Sequence, residues 1–167
     1  MFTRSRWIFP VVGLAVAIVA ALAIYAFVLA GGQRQVTGTV TLVAGPNGQS
    51  CGFDGYVLEL EGSAALAHLG NTTVIASNCS RGSLDTGPAV MFEGSATYTA
   101  SDGSSVTVAY DGSQMKPVAQ VGPFRVLQTV TGGTGRFANA TGEWTITGEA
   151  NITNGETHGD VTGWISY

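Results

Sequence analysis

Three carboxylates interrupt runs of small and apolar residues in this chain: Glu59, Glu61 and Glu93. Two carboxylates sharing a cavity could do general acid–base work, because burial or a close partner would tune one of them toward neutrality. Here Glu59 and Glu61 alternate with Leu58 and Leu60, and Glu93 follows Phe92. On a half-buried strand that spacing turns the carboxylates to water. His68 and His158 stand apart, with no carboxylate or cysteine at ligand spacing, so no metal site is expected. Serines are plentiful, but none lies in a Gly-x-Ser-x-Gly elbow. The stretch Gly132-Gly133-Thr134-Gly135-Arg136-Phe137 lacks both the Gly-Lys-Ser/Thr and the following helix of a phosphate loop. The Asn-x-Ser/Thr triplets at Asn71, Asn78, Asn139 and Asn151 are chance matches in a Thr- and Asn-rich chain. No catalytic residue, metal ligand or cofactor is assigned.

Cys51 and Cys79 are the only cysteines. In an oxidising compartment two such residues pair more readily than they stay free, and neither has a CxxC partner or a neighbouring histidine. A disulfide stapling the least regular part of the chain is the expectation.

The elements that must carry these residues fall into two kinds. Trp7–Ala30 is an uncharged apolar run preceded by Arg4 and Arg6. At about 1.5 Å per residue it spans a hydrocarbon core of roughly 30 Å as a helix. The basic residues ahead of it favour a cytoplasmic N-terminus, leaving the rest of the chain outside. The run is long for a secretory signal, which favours an uncleaved anchor; cleavage after Val28-Leu29-Ala30 would instead release the protein. Residues 1–32 are thus read as a membrane segment with a short linker, and 33–167 as an exported domain held at the cell membrane through residues 7–30.

Beyond Ala30 the chain carries five basic against eleven acidic side chains, a net −6, which argues against nucleic-acid binding. Its Gly- and Thr-rich sequence speaks for strands and tight turns. Val36, Val40 and Leu42 alternate with threonines. Tyr56–Glu61 predicts a second strand, and Ala64–Leu69 with Thr72–Ser77 one bent strand or two, interrupted at Gly70-Asn71. The segments around Cys51 and over Asn78–Pro88 read as loops. Ala89–Ala100 is the longest strand, with Val90, Phe92, Ala96 and Tyr98 on one face and a bulge or bend at Gly94. A Ser101-Asp102-Gly103 turn leads to Ser105–Tyr110. Asp111–Gly122 reads as loop, and Phe124–Thr131, Glu143–Ala150 and Asp160–Tyr167 as the last strands. Eight strands in meander order, with no room for a crossover helix, predict an all-β eight-stranded antiparallel barrel; a two-sheet sandwich is the runner-up.

The segment Gly132–Gly148, GGTGRFANATGEWTITG, resembles the glycine-rich turn of the dirigent and allene oxide cyclase barrels. With Gly163-Trp164-Ile165-Ser166-Tyr167 and the looser Gly62 to His68-Leu69-Gly70 element, it resembles more closely a group of exported bacterial proteins of unassigned function that carry this barrel. The resemblance is strongest over Thr129–Tyr167. It implies a structural role for the turn, in which Gly132, Gly133 and Gly135 permit positive φ and close backbone approach while Phe137 plugs a barrel end. Polar residues of the plant families have no residue-by-residue match here.

Three functions are open to such a barrel. It could bind a small apolar ligand or act as a scaffold, with Phe124, Phe137, Trp144 and Trp164 as the candidate ligand-binding aromatics. It could be an isomerase or cyclase for an apolar substrate, or a purely structural interaction module. An open apolar interior with convergent polar groups favours the first two, and a filled interior the third.

Overall fold

The computed structural model describes residues 32–52, 54–82 and 88–167. The run Trp7–Ala30 lies outside them, and no helix among the described residues is long and apolar enough to cross a membrane. The chain divides into two units, Met1–Gln33 and Arg34–Tyr167. The second is a barrel closed on itself: β1 (Arg34–Ser50), β2 (Gly55–Leu66), β3 (Gly70–Arg81), β4 (Ala89–Ala100), β5 (Ser105–Gln114), β6 (Val121–Gly133), β7 (Thr141–Asn151) and β8 (Glu156–Ser166). Each strand pairs antiparallel with its sequence neighbours, and β8 pairs back onto β1, with Val36 opposite Gly163. The eight-strand meander barrel is as the alternation predicts, and closure excludes a sandwich. Its core and all its pairing lie inside Arg34–Tyr167, so this unit leaves no strand edge unpaired and needs no other element to cover its core.

Threonine-for-valine alternation decides which way each strand faces. In β1, Val36, Val40 and Leu42 are buried while Thr37, Thr39 and Thr41 face water. In β8, Val161 and Ile165 point inward. Glu59, Glu61 and Glu93 are all exposed, as their spacing predicts.

Several boundaries differ from the sequence reading. Tyr56–Glu61 and Ala64–Leu66 form one strand, β2, and the chain reverses through Ala67-His68-Leu69, where His68 takes φ 69°. Gly62 does not break β2: a Cβ there would strike Thr41 O of β1, so the glycine serves close strand approach instead. Asn78–Arg81, read as loop, continues β3, and Asp111–Gln114 continues β5. In both places polar residues that look like loop formers are held by ladder pairing to the neighbouring strand.

The bend in β4 is a bulge with its extra residue at Phe92-Glu93. Met91 pairs with Gly112 and Gly94 with Tyr110, so two residues oppose one, and Glu93 adopts φ 53°. The bulge flips the face. Ala96 and Tyr98 point inward as expected, but on the other side of it Met91 lines the interior, while Val90 is exposed and Phe92 half-buried under the Arg81 guanidinium.

Cys51 and Cys79 are bonded, with Cα atoms 5.8 Å apart. They tie the end of β1 to β3 across the start of β2.

Candidate functional site

The two ends of the barrel are built differently. One is shut by the glycine-rich turn. Gly135 takes φ 58°, and a Cβ on Gly133 would lie 2.5 Å from both Phe137 O and Ser105 O, so one glycine supplies conformation and the other close approach. Gly132 needs neither, correcting the expectation that all three do. The 3₁₀ turn Gly135–Phe137 then drops Phe137 into the barrel end, 1% exposed. The Tyr167 ring meets it edge-on at 4.7 Å. Arg136 clips the turn in place, its guanidinium on Asp102 at 2.6 Å and Leu69 O at 2.9 Å. The Ser104 N–H, with help from the Arg136 charge, holds the Asp102 carboxyl below its usual range.

Toward the other end the barrel is hollow. A cavity of about 390 Å³ runs from Tyr98, Gln128 and Ile146 at mid-height to the β7–β8 turn Ile152–Gly155. That size is within the range usual for small-molecule sites. Its walls are apolar: Leu42, Leu58, Leu60, Met91, Phe124 and Val126 contribute, and the small side chains of Ala76 and Ala96 leave the space unfilled.

Polar groups sit in this apolar wall at two places. At mid-height, Gln128 Oε1 accepts the Tyr98 hydroxyl at 2.7 Å and the Trp144 indole N–H at 2.6 Å. The indole has no acceptor, so it fixes which end of the Gln128 amide faces it. Nearer the mouth, the Tyr110 hydroxyl donates to Asn78 Oδ1 at 3.1 Å, and Asn78 Nδ2 donates to Ser80 Oγ at 3.2 Å. Burial pushes the Tyr98 hydroxyl up to about 12. Burial first, and then the proximity of Tyr98, raises Tyr110 as well. Both phenols are protonated at neutral pH and serve as fixed hydrogen-bonding groups. Among the described residues, no aspartate, glutamate, histidine, lysine or arginine lines the cavity.

The four candidate aromatics part company. Phe124 lines the cavity. Trp144, 1% exposed, stands behind its polar mid-point and edge-on to Tyr98 at 5.7 Å. Phe137 closes the opposite end. Trp164 is half-buried beside inward-facing Ile165 and paired across to Glu143 and Gln35, on the outer wall away from the cavity. Sequence reasoning missed Asn78, Gln114 and Gln128. Gln128 was legible as an inward position in the Phe124–Val130 alternation, the one amide in an apolar series. Asn78 was hidden by ending β3 too early. His158 meets only the Thr41 hydroxyl, at 3.2 Å, on the outer surface. Among the described residues no group of three or more His, Cys, Asp or Glu could hold a metal ion.

No protein-family model matches the chain, and no curated protein matches it in sequence. Among solved structures, the chain is similar to a pterocarpan synthase dirigent protein, with 16% identity and a TM-score of 0.47 over 81% of this chain and 86% of that one. The closed barrel stands on its own strand pairing, independent of that likeness.

Proposed function

We propose that this protein binds a small, mainly apolar molecule inside its barrel and does so outside the cytoplasm, tethered by Trp7–Ala30. The observation that carries the binding reading is the cavity itself: about 390 Å³ of apolar-walled space that holds hydrogen-bonding groups at two levels. A barrel serving only as a scaffold would gain packing by filling that space. The lining also favours binding over proton-transfer chemistry, because its described residues include no carboxylate, imidazole or amine to act as acid or base near neutral pH. The export reading rests on the uncharged run after Arg4 and Arg6, and a bonded cysteine pair suits an oxidising compartment.

The test uses the barrel unit with Trp164→Phe, which leaves Trp144 as its one tryptophan. Straight-chain and ring hydrocarbons of increasing size are titrated while Trp144 emission is followed. Saturable shifts that disappear in Ala76→Phe, a cavity-filling variant, support the reading. Equal shifts with the cavity filled, or none with any probe, would leave the barrel as a structural module, and conversion of a bound compound would make it an enzyme. For topology, protease added to spheroplasts should digest the barrel; protection would sink export.

A further inference from the structure

Most of the cavity's buried hydrogen-bonding groups are already used by the protein, and one is left over. Gln128 Oε1 is taken by Tyr98 and Trp144, and Asn78 by Tyr110 and Ser80. At the turn, the Asn151 and Asn154 amide oxygens accept the Thr153 and Glu156 backbone N–H groups. The Thr157 hydroxyl donates to Gly155 O. One buried amide nitrogen remains: Gln114 Nε2 has no partner among the described residues. It is a donor, and a buried donor without an acceptor is a standing cost that a ligand acceptor would remove.

Among the described residues no charged side chain lines the cavity, so an ionised ligand would be stripped of water with no counter-charge from them to meet it. We infer that the ligand class, given the binding reading on which this rests, is an uncharged apolar molecule bearing a carbonyl oxygen: a ketone, aldehyde, lactone or ester, not a free acid. Gln114 Nε2 reads that oxygen from the mouth side. Selection between a neutral carbonyl compound and its acid is thus set by what the cavity lacks as much as by what it holds.

Four probes of one length test this on the barrel unit: undecane, 2-undecanone, 2-undecanol and undecanoate, with methyl undecanoate as the uncharged form of the acid. Gln114→Leu should weaken 2-undecanone about three- to tenfold, the effect of one neutral hydrogen bond, and leave undecane unchanged or tighter. Methyl undecanoate should bind at least about tenfold more tightly than undecanoate at pH 8. Gln114→Met serves as a second variant should leucine perturb folding. The infrared carbonyl stretch of bound 2-undecanone in the unmodified barrel, lowered from its position in alkane solvent, reads the hydrogen bond with no substitution at all. An unshifted stretch, equal losses for ketone and alkane, tighter binding of the alcohol, or undecanoate matching its ester would each overturn the carbonyl assignment while leaving the cavity as a binding site. If neither undecane nor 2-undecanone binds, the binding reading itself falls, and the assignment with it.

Discussion

Trp144 and Gln128 face each other across the β6–β7 pair, the indole N–H 2.6 Å from the amide oxygen that also holds the Tyr98 hydroxyl. One buried oxygen therefore satisfies two donors, each on a side chain about 1% exposed. Removing it strands both. Gln128→Leu should cost about 2–4 kcal/mol, since each orphaned buried donor is worth roughly 1–3 kcal/mol. Urea unfolding measures it. Adding Tyr98→Phe should recover part of the loss by deleting one stranded donor, and a double variant no better than the sum of the singles would show that the two groups do not share the oxygen.

The same burial predicts the alkaline limb of stability. Unfolded tyrosine titrates near 10, whereas in the barrel Tyr98 is pushed up to about 12 and Tyr110 is raised too. The folded state thus holds these protons more tightly than the unfolded chain. Their contribution is complete below pH 10 and is lost as pH climbs through 10 toward 12. The slope is up to about 1.4 kcal/mol per pH unit for each tyrosine. Denaturation midpoints measured from pH 8 to 11.5 should hold steady and then fall, and Tyr98→Phe should flatten the fall. An unchanged limb in that variant would mean that Tyr98 is not the group responsible.

Much of this was written in the alternation of the chain. Val36, Val40 and Leu42 against their threonines, and Phe124, Val126, Gln128 and Val130 against Arg125, Leu127 and Thr129, give the inward faces of β1 and β6 directly. The glycine-rich turn and the burial of Phe137 were legible as well. Failures came where pairing overrides local composition. Asn78 and Ser80 sit in a stretch rich in turn formers, yet ladder bonds to β2 keep them in a strand with their side chains inward. In β4 the bulge at Phe92-Glu93 reverses the face, and no period-2 pattern can report an inserted residue. Trp164 was drawn into the ligand set by its type, although its neighbours Val161 and Ile165 already placed it outside. The hollow itself was not legible, because it depends on Ala76 and Ala96 coming side by side in the β3–β4 pair, where two small side chains line the same wall.

The disulfide sits at the hollow end, and Gly55 is packed between its halves, with a Cβ there falling 2.6 Å from Cys51 O. Cys51 and Cys79 are 28 residues apart, so the bond restricts a loop worth about 3.5 kcal/mol in the chain-entropy account. Cys51→Ala with Cys79→Ala should lower unfolding stability by about that amount. A loss under about 1 kcal/mol would mean that the unfolded chain is already compact there. Thiol labelling of the unfolded, unreduced protein should find no free cysteine.

The β5–β6 hairpin turns at Val118–Val121, whose two backbone bonds enclose Ala119 and Gln120 at φ 52° and 73°. Two consecutive positive values are the signature of a type I′ turn, which asparagine and glycine fill without strain and alanine does not. Ala119→Asn should therefore stabilise the barrel by about 0.5–1 kcal/mol, read as a higher melting temperature. Destabilisation would show that Ala119 makes a contact outweighing its backbone strain.

Gly94 and Tyr110 are directly paired across β4 and β5, and the tyrosine ring lies over the glycine. A Cβ on Gly94 would fall 2.5 Å from two of the ring carbons, a separation no real contact sustains. Gly94→Ala must therefore displace the ring, and with it the hydroxyl that donates to Asn78 inside the cavity. The expected loss is about 1–3 kcal/mol, the usual cost of overpacking. Ligand affinity should change alongside, because the ring forms part of the cavity wall. Pairing Gly94→Ala with Tyr110→Leu separates the two causes. The smaller side chain removes the collision, so stability should recover relative to Gly94→Ala alone, while the altered wall keeps affinity changed. Should the double variant remain as unstable as the single, the glycine would be serving the bulge backbone at Phe92-Glu93 and not the tyrosine ring.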